Sequence, residues 1–318
     1  MRWIYFIIVL LMALLPTLVS AQVITASEEV SFRRDDVYEL AGTLKGQLMV
    51  YRYRNNEHEL LAFDDRLKLK WEKEIFPSGK RHEPIALHLN DSLLSIIYIS
   101  REEEGGYAVR IERYDSMARV VDTAIVARYQ RNNPAPHPEV VFSEDDNIML
   151  VYDLVWNRGV DLTAYHMGLM NTIWERGISF ENPESSDDFR QSIITNGAEL
   201  FMIFDRNNRR GKREEHHLDI FHFDYATELS QRIIVTFLEK LIIDAEYTYD
   251  ELNDRIVAAG FYADEHPARS SGYFYLNLSA RKPEDRILVM HPFPDELTGN
   301  ILATGAIHKD EEVEDLFT

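Results

Sequence analysis

The sequence predicts an all-β chain: a β-propeller of about five blades, each a four-stranded antiparallel sheet of about fifty residues. Three observations predict it. The first is a repeated phrase. ELLAFDDRLKLKWEKEI (59–75) and DLTAYHMGLMNTIWERGI (161–178) match at Leu60 and Leu162, Ala62 and Ala164, Phe63 and Tyr165, and Leu67 and Leu169, and again at Trp71 and Trp174 after one inserted residue. The second is a period. An aromatic residue near the end of an apolar strand recurs at Phe63, Tyr114, Tyr165, Phe223 and Tyr275, at intervals of 51, 51, 58 and 52 residues. The third is composition: 16 Tyr, 16 Phe and many β-branched residues suit pleated, half-buried surfaces. Strands such as LLSIIYIS (93–100) are apolar on both faces. They need cover on both faces, which a sheet packed between two others receives and a two-sheet sandwich does not supply.

The elements follow in order. Residues 1–21 read as a signal peptide: Arg2 is the positive start, 3–15 are almost wholly apolar, Pro16 breaks the run, and Val19, Ser20 and Ala21 offer a small-x-small cleavage site. Residues 22–35 read as an N-terminal strand or linker. The repeats occupy 36–294, with blades at 36–76, 85–129, 139–180, 191–240 and 241–294. Each opens on a short first strand: DVYEL (36–40), IALHL (85–89), VVF (140–142), SIIT (192–195) and IIDAEYTY (242–249). An apolar second strand follows: LMVYRYR (48–54), LLSIIYIS (93–100), IMLVYDLVW (148–156), LFMIFD (200–205) and RIVAAGFYA (255–263). A polar hairpin tip and the aromatic-bearing third strand come next. The fourth strand is KWEKEI (70–75), VDTAIV (121–126), TIWERGI (172–178), QRIIVTF (231–237) or DRILVM (285–290). PSGKRHEP (77–84), QRNNPAPHPE (130–139), ENPESSDDF (181–189) and HPFPDELTGN (291–300) read as blade-to-blade crossings, because proline has no N–H for a central ladder. Residues 295–318 form a C-terminal segment without a full sixth unit. Two readings stay open: a closed five-bladed ring with 22–34 adding a strand to the last blade, or the front part of a larger propeller, which is preferred.

Charge and motifs exclude several functions. With 54 acidic against 34 basic residues the net charge is −20, which repels nucleic acid and anionic lipid. There is no cysteine, so disulfides, thiol nucleophiles and thiolate metal sites are excluded. No phosphate loop, HExxH, EF-hand loop or GxSxG elbow occurs, and no cofactor is expected. After removal of the leader no segment is apolar enough to span a membrane.

The candidate site residues fall into four sets. Asp36, Glu139, Asp244 and Glu246 lie on or beside the first strands, where an acid and a base or nucleophile could flank a glycosidic bond. Arg206, Arg209, Arg210, Lys212 and Arg213 concentrate positive charge in one hairpin tip and offer forks for a carboxylate or phosphate, balanced by Glu214 and Glu215. Trp156, at the edge of another tip, offers a platform for a sugar ring. His216, Asp219 and His222 are weighed as metal ligands, but the two histidines are six residues apart on a strand, and the stretch reads as a polar strand start with no metal.

The leader, the fifty-residue four-strand units and the strand pair LLAFDDRLKLKWEKEI resemble uncharacterised secreted β-propeller-like proteins of Bacteroidetes-type bacteria. The resemblance covers most of 36–290, implies an exported bacterial protein and brings no catalytic residue with it; the Gly-His and Trp-Asp marks of WD40 blades are missing. The expected function is an exported, non-catalytic binding or scaffold module with a protein or carbohydrate ligand on the face that carries the long tips and crossings. The alternative is a secreted propeller-class glycoside hydrolase or polysaccharide lyase.

Overall fold

The computed structural model describes residues 34–90, 92–130, 135–155, 159–179, 188–264 and 270–294. Five four-stranded antiparallel sheets follow one another along the chain, each a meander whose strands pair in chain order. Sheet 1 is β1 (Val37–Leu44), β2 (Gln47–Arg54), β3 (Glu57–Phe63) and β4 (Leu69–Ile75); sheet 2 is β5 (Lys80–Leu89), β6 (Leu94–Arg101), β7 (Tyr107–Tyr114) and β8 (Val120–Tyr129). Sheet 3 is β9 (Glu139–Phe142), β10 (Ile148–Val155), β11 (Gly159–His166) and β12 (Asn171–Ile178). Sheet 4 is β13 (Phe189–Ile194), β14 (Leu200–Arg206), β15 (His217–Asp224) and β16 (Leu229–Thr236), with a 3₁₀ turn at Arg210–Glu215. Sheet 5 is β17 (Leu241–Asp250), β18 (Arg255–Ala263), β19 (Gly272–Ser279) and β20 (Arg286–Pro292). The fold class is therefore all-β, with five propeller-type blades. Among the described residues no helix is long and apolar enough to cross a membrane.

The described residues divide into two compact units, 34–77 with 89–94 and 114–119, and 78–88 with 95–113 and 120–294. In the first unit, sheet 1 buries Leu44, Met49, Tyr51 and the run from Leu60 to Phe63. In the second, three apolar clusters join consecutive sheets. Ile97, Val109, Ile111 and Val126 of sheet 2 meet Met149, Val151 and Tyr165 of sheet 3. Leu150, Leu162, Ala164 and Trp174 of sheet 3 meet Leu200, Met202 and Phe223 of sheet 4. Phe201, Ile203, Leu218 and Ile220 of sheet 4 meet Tyr247, Ile256, Phe274 and Leu276 of sheet 5. Successive residues of one strand thus serve opposite clusters, as Phe201 and Met202 do. This is why second strands read as continuous apolar runs.

The repeated phrase has a local cause. The residue after the aromatic closes the β3–β4 type of turn with its side chain. Asp64 Oδ1 accepts the N–H groups of Arg66 and Lys68, each at 2.9 Å. Asp115 Oδ1 accepts those of Met117 and Arg119, at 2.8 and 3.0 Å, and Asp224 Oδ1 those of Ala226 and Thr227, at 2.9 and 3.3 Å. Such side-chain-closed turns are what Asp supplies most readily. His166 Nδ1 accepts Leu169 N–H at 3.3 Å in the third copy, and Ser279 Oγ accepts Lys282 N–H at 3.2 Å in the fifth.

Two readings need correction. Tyr275 sits in mid-β19 and is exposed; the position matching Phe63 and Phe223 is Leu278, fully buried one residue before Ser279. Second, β5 begins at Lys80, so Pro84 lies within a strand and not in a crossing. β5 is the first strand of its sheet, and an edge strand tolerates proline with its missing N–H turned away from the ladder.

Candidate functional site

The first strands and the crossings that feed them bound a cleft of about 440 Å³ in the second unit. One wall is Glu83, Pro84 and Ile85 of β5 with Ile99 of β6. The other is Pro136, His137 and Pro138 of the crossing with Glu139 and Val140 of β9. The sequence PAPHPE dictates this second wall. Its prolines have fixed φ and no N–H to pair, so the segment runs extended without joining a ladder. Pro136 and Pro138 turn inward and are buried, while His137 and Glu139 between and after them are exposed.

β10 fixes the wall from beneath. His137 N–H donates to Oδ1 of the buried Asp153 at 3.3 Å. Tyr152, paired with Glu139 in the β9–β10 register, donates its hydroxyl to Glu139 Oε2 at 2.5 Å. Burial, and then the Glu139 carboxylate, hold the Tyr152 hydroxyl far above the usual phenol range. Tyr152 is therefore a fixed donor that sets the rotamer of Glu139. The cleft thus presents two carboxylates and an imidazole over a floor of Ile, Val and proline rings. Small-ligand sites have this composition, an apolar body with few placed polar groups. Within a sheet, the tip between second and third strands lies at the same end as the start of the first and the end of the fourth: in sheet 3, Glu139 pairs with Tyr152, and Val160 pairs with both Leu154 and Ile178. The cleft opens at that end.

Of the four sequence-predicted carboxylates only Glu139 lines the cleft. Asp36 lies in the first unit, before β1, with Arg54 Nε 3.9 Å from its Oδ1. Asp244 and Glu246 alternate on the exposed face of β17, just past a bulge that Gly260 admits. The carboxylate that does share the cleft with Glu139 is Glu83, and His137 joins them. Sequence reasoning passed over both because they sit in HEP and PAPHPE, read as connections; the signal available was the alternation of proline with polar residues, which fixes an extended rim.

The basic tip is bound into its own surroundings. Arg206 donates to Asp188 at 3.1 Å, lies 3.6 Å from Asp219 Oδ2 and covers the Phe204 ring at 4.9 Å. Lys212 Nζ donates to Asn207 Oδ1 at 3.3 Å and pairs with Glu215 at 3.7 Å, and Arg213 donates to the carbonyl oxygen of Asp264. Arg209 is exposed before the 3₁₀ turn. The side chain of Arg210 and all of Trp156 lie outside the described residues. The histidines find carboxylates: His216 Nε2 is 2.6 Å from Asp205 Oδ1, and His222 Nε2 is 2.9 Å from Glu199 Oε2. Among the described residues no three His, Asp or Glu side chains are grouped to hold a metal ion.

No protein-family model matches this chain, and no curated protein matches it in sequence. Solved structures overlap it at low scores. An endo-arabinanase of family GH43 from Bacillus licheniformis is 13% identical, with 86% of this chain and 98% of that chain covered at a TM-score of 0.34. A GH43_1 enzyme from Xanthomonas citri complexed with xylose is 10% identical, covering 82% and 91% at 0.33. A protein of unknown function from Bacteroides caccae is 9% identical, covering 65% and 70% at 0.30. These overlaps assign no residue of this chain a role, and the reading of the cleft rests on its own side chains.

Proposed function

We propose that the protein is an exported, non-catalytic binding module that takes a carbohydrate ligand in the Glu83–Glu139 cleft. The observation that carries this reading is the cleft itself: carboxylates and an imidazole, which pair with hydroxyl groups, rim an apolar floor that suits the C–H faces of a sugar ring. The export part rests on the leader-like residues 1–21, which lie outside the described residues. A second reading, the hydrolase alternative, has one observation of its own. Glu83 and Glu139 share a cleft, and paired carboxylates are what glycoside hydrolysis requires. Both side chains are exposed, whereas a general acid is normally enclosed, which favours binding over turnover.

The test is affinity electrophoresis of the full chain through gels containing soluble arabinan, xylan or mixed-linkage glucan, with reducing ends assayed in parallel. Retardation by one polysaccharide, weakened roughly tenfold in Glu139→Gln and in Glu83→Gln, with no reducing ends released, is the expected result. Retardation unchanged in both variants overturns the site. Release of reducing ends that either substitution abolishes replaces binding by hydrolysis.

A further inference from the structure

Granted the carbohydrate reading of the Glu83–Glu139 cleft, on which this rests, we propose that its ligand is an amine-bearing sugar, held as an ammonium ion between the two carboxylates. The carboxylates stand on opposite walls, Glu83 on β5 and Glu139 at the start of β9. Apart from His137, every other lining residue is proline, isoleucine or valine. The cleft therefore carries two negative charges when His137 is neutral and one when it is protonated. Among the described residues no Lys or Arg lines it. Arg81 and Arg101, each two residues from a lining residue, are not part of the walls, and Lys80 pairs with Glu103 at 3.2 Å.

Neither carboxylate is spent on a neighbouring charge. The Glu83 side chain makes no ion pair or hydrogen bond with another described residue. Glu139 takes one donor, the Tyr152 hydroxyl on Oε2 at 2.5 Å, which is neutral and leaves Oε1 to a ligand. Tyr152 is buried, so the direction of Oε1 is set before a ligand arrives and less freedom is lost on binding.

Charge then sorts the sugars. A uronate or sulfated sugar meets net repulsion, and a neutral sugar leaves both carboxylates uncompensated. An ammonium group offers three N–H donors and cancels charge, and hydrogen bonds assisted by charge are roughly twice as strong as neutral ones. The lining also selects among cations. No Phe, Tyr or Trp lines the cleft, so a quaternary ammonium or a guanidinium finds no aromatic face to rest on. A compact primary ammonium needs only acceptors, while the Ile, Val and proline floor takes the C–H face of the ring that bears it. The chain's net charge of −20 adds long-range attraction for such a ligand.

The experiment titrates the full chain by calorimetry with a β-linked glucosamine oligomer, at about pH 6, where an amine keeps its proton and a carboxylate has lost its own. The controls are the same oligomer fully N-acetylated, a glucose oligomer of the same linkage, and a lysine oligomer of equal charge. The expected result is that the glucosamine oligomer binds at least roughly tenfold more tightly than either neutral sugar. Glu83→Gln and Glu139→Gln each narrow that gap severalfold, and the lysine oligomer binds more weakly because it lacks the sugar face. Equal affinity for the aminated and acetylated oligomers overturns the amine and leaves the carbohydrate reading standing. Binding of none of the three sugars overturns both. A gap that survives both substitutions, or a lysine oligomer that binds as tightly as the glucosamine oligomer, also overturns the amine, because contact is then adsorption of a polycation to an acidic surface.

Discussion

The carboxylate of Asp205 shows what a single buried group does in this fold. Its side chain is 0% exposed, as is that of His216. It accepts from His216 Nε2 at 2.6 Å, Asn208 Nδ2 at 2.6 Å and Arg190 Nη2 at 3.1 Å, while His216 Nδ1 meets the carbonyl oxygen of Lys240. Asn208 also spans to β17, bonding both N–H and C=O of Ile242. A buried charge is stable only while such partners satisfy it. Asp205→Leu strands an imidazole and a guanidinium, and we expect a loss of about 3–5 kcal/mol in denaturant unfolding; a loss below ~1 kcal/mol contradicts the network. His88 gives the pH dependence. Burial holds its imidazole below the ordinary value, against the pull of the Asp146 carboxylate 3.7 Å away. The unfolded chain then binds the proton more readily than the folded one. Stability is therefore full above the unfolded histidine value near 6.5 and falls as pH drops below it. The urea midpoint, measured at pH 7, 6 and 5, should fall more steeply in the wild type than in His88→Gln. Equal slopes contradict this assignment. At this scale the sequence was least informative: it displayed His216 and His222 but not their partners, because Asp205 and Glu199 arrive from β14 and the turn before it, 11 and 23 residues earlier.

At the scale of strands the sequence was most legible. Among the described residues, twenty strands in five meanders follow from short apolar runs and from Asp-closed turns, because both are local properties. The misreadings also have local causes. Tyr275 mimicked the repeated aromatic in a copy where Leu278 fills the slot, and packing accepts either side chain. Pro84 read as a loop because proline is barred only from strands paired on both sides. The cleft residues Glu83 and His137 were illegible for that reason, whereas Glu139 was visible at a strand start. A bulge in β17, between Ile242 and Asp244, tests how tightly an element constrains its neighbour. Just past it, Gly260 of β18 pairs with Ala245, and a Cβ there would come within 2.2 Å of the Asp244 carbonyl oxygen and 2.8 Å of Ala245 Cα. Both are backbone atoms and cannot rotate away. Gly260→Ala must push β17 outward, and we expect a cost of about 1–3 kcal/mol with a lowered melting temperature. An unchanged melting temperature would show that the bulge relaxes freely.

Across the second unit, stability passes from sheet to sheet. Each of the three clusters belongs to two consecutive sheets, so no inner sheet keeps its core when its neighbour opens. Sheet 4 shares clusters with both sheet 3 and sheet 5. Sheet 5 rests on sheet 4 through one face, reinforced by Arg281, which pairs with Glu199 at 2.5 Å and Asp224 at 2.8 Å from sheet 4's turns and with Asp254 at 3.0 Å in its own. The other face carries Tyr273 at 47% exposure, Tyr275 at 39%, Ile287 at 53% and Val289 at 36%. Its last strand, β20, combines three weaknesses: an outer position in the sheet, mostly exposed side chains, and only Leu288 and Met290 packed against the shared cluster. Local opening follows buried contact, so exchange protection should fall from β14, buried almost throughout, through β18 to β20. Hydrogen exchange by mass spectrometry reads this gradient directly. Phe201→Ala sharpens the test, because Phe201 is fully buried on the sheet 4 side of the cluster shared with sheet 5, stacked 5.2 Å from the Tyr249 ring. Its removal costs about 3–5 kcal/mol and should deprotect β17 to β20 together with β14, although the substitution lies in sheet 4. Loss of protection confined to sheet 4 would mean that the sheets are independent units joined by contact alone, and the nearest-neighbour account of this repeat would fail.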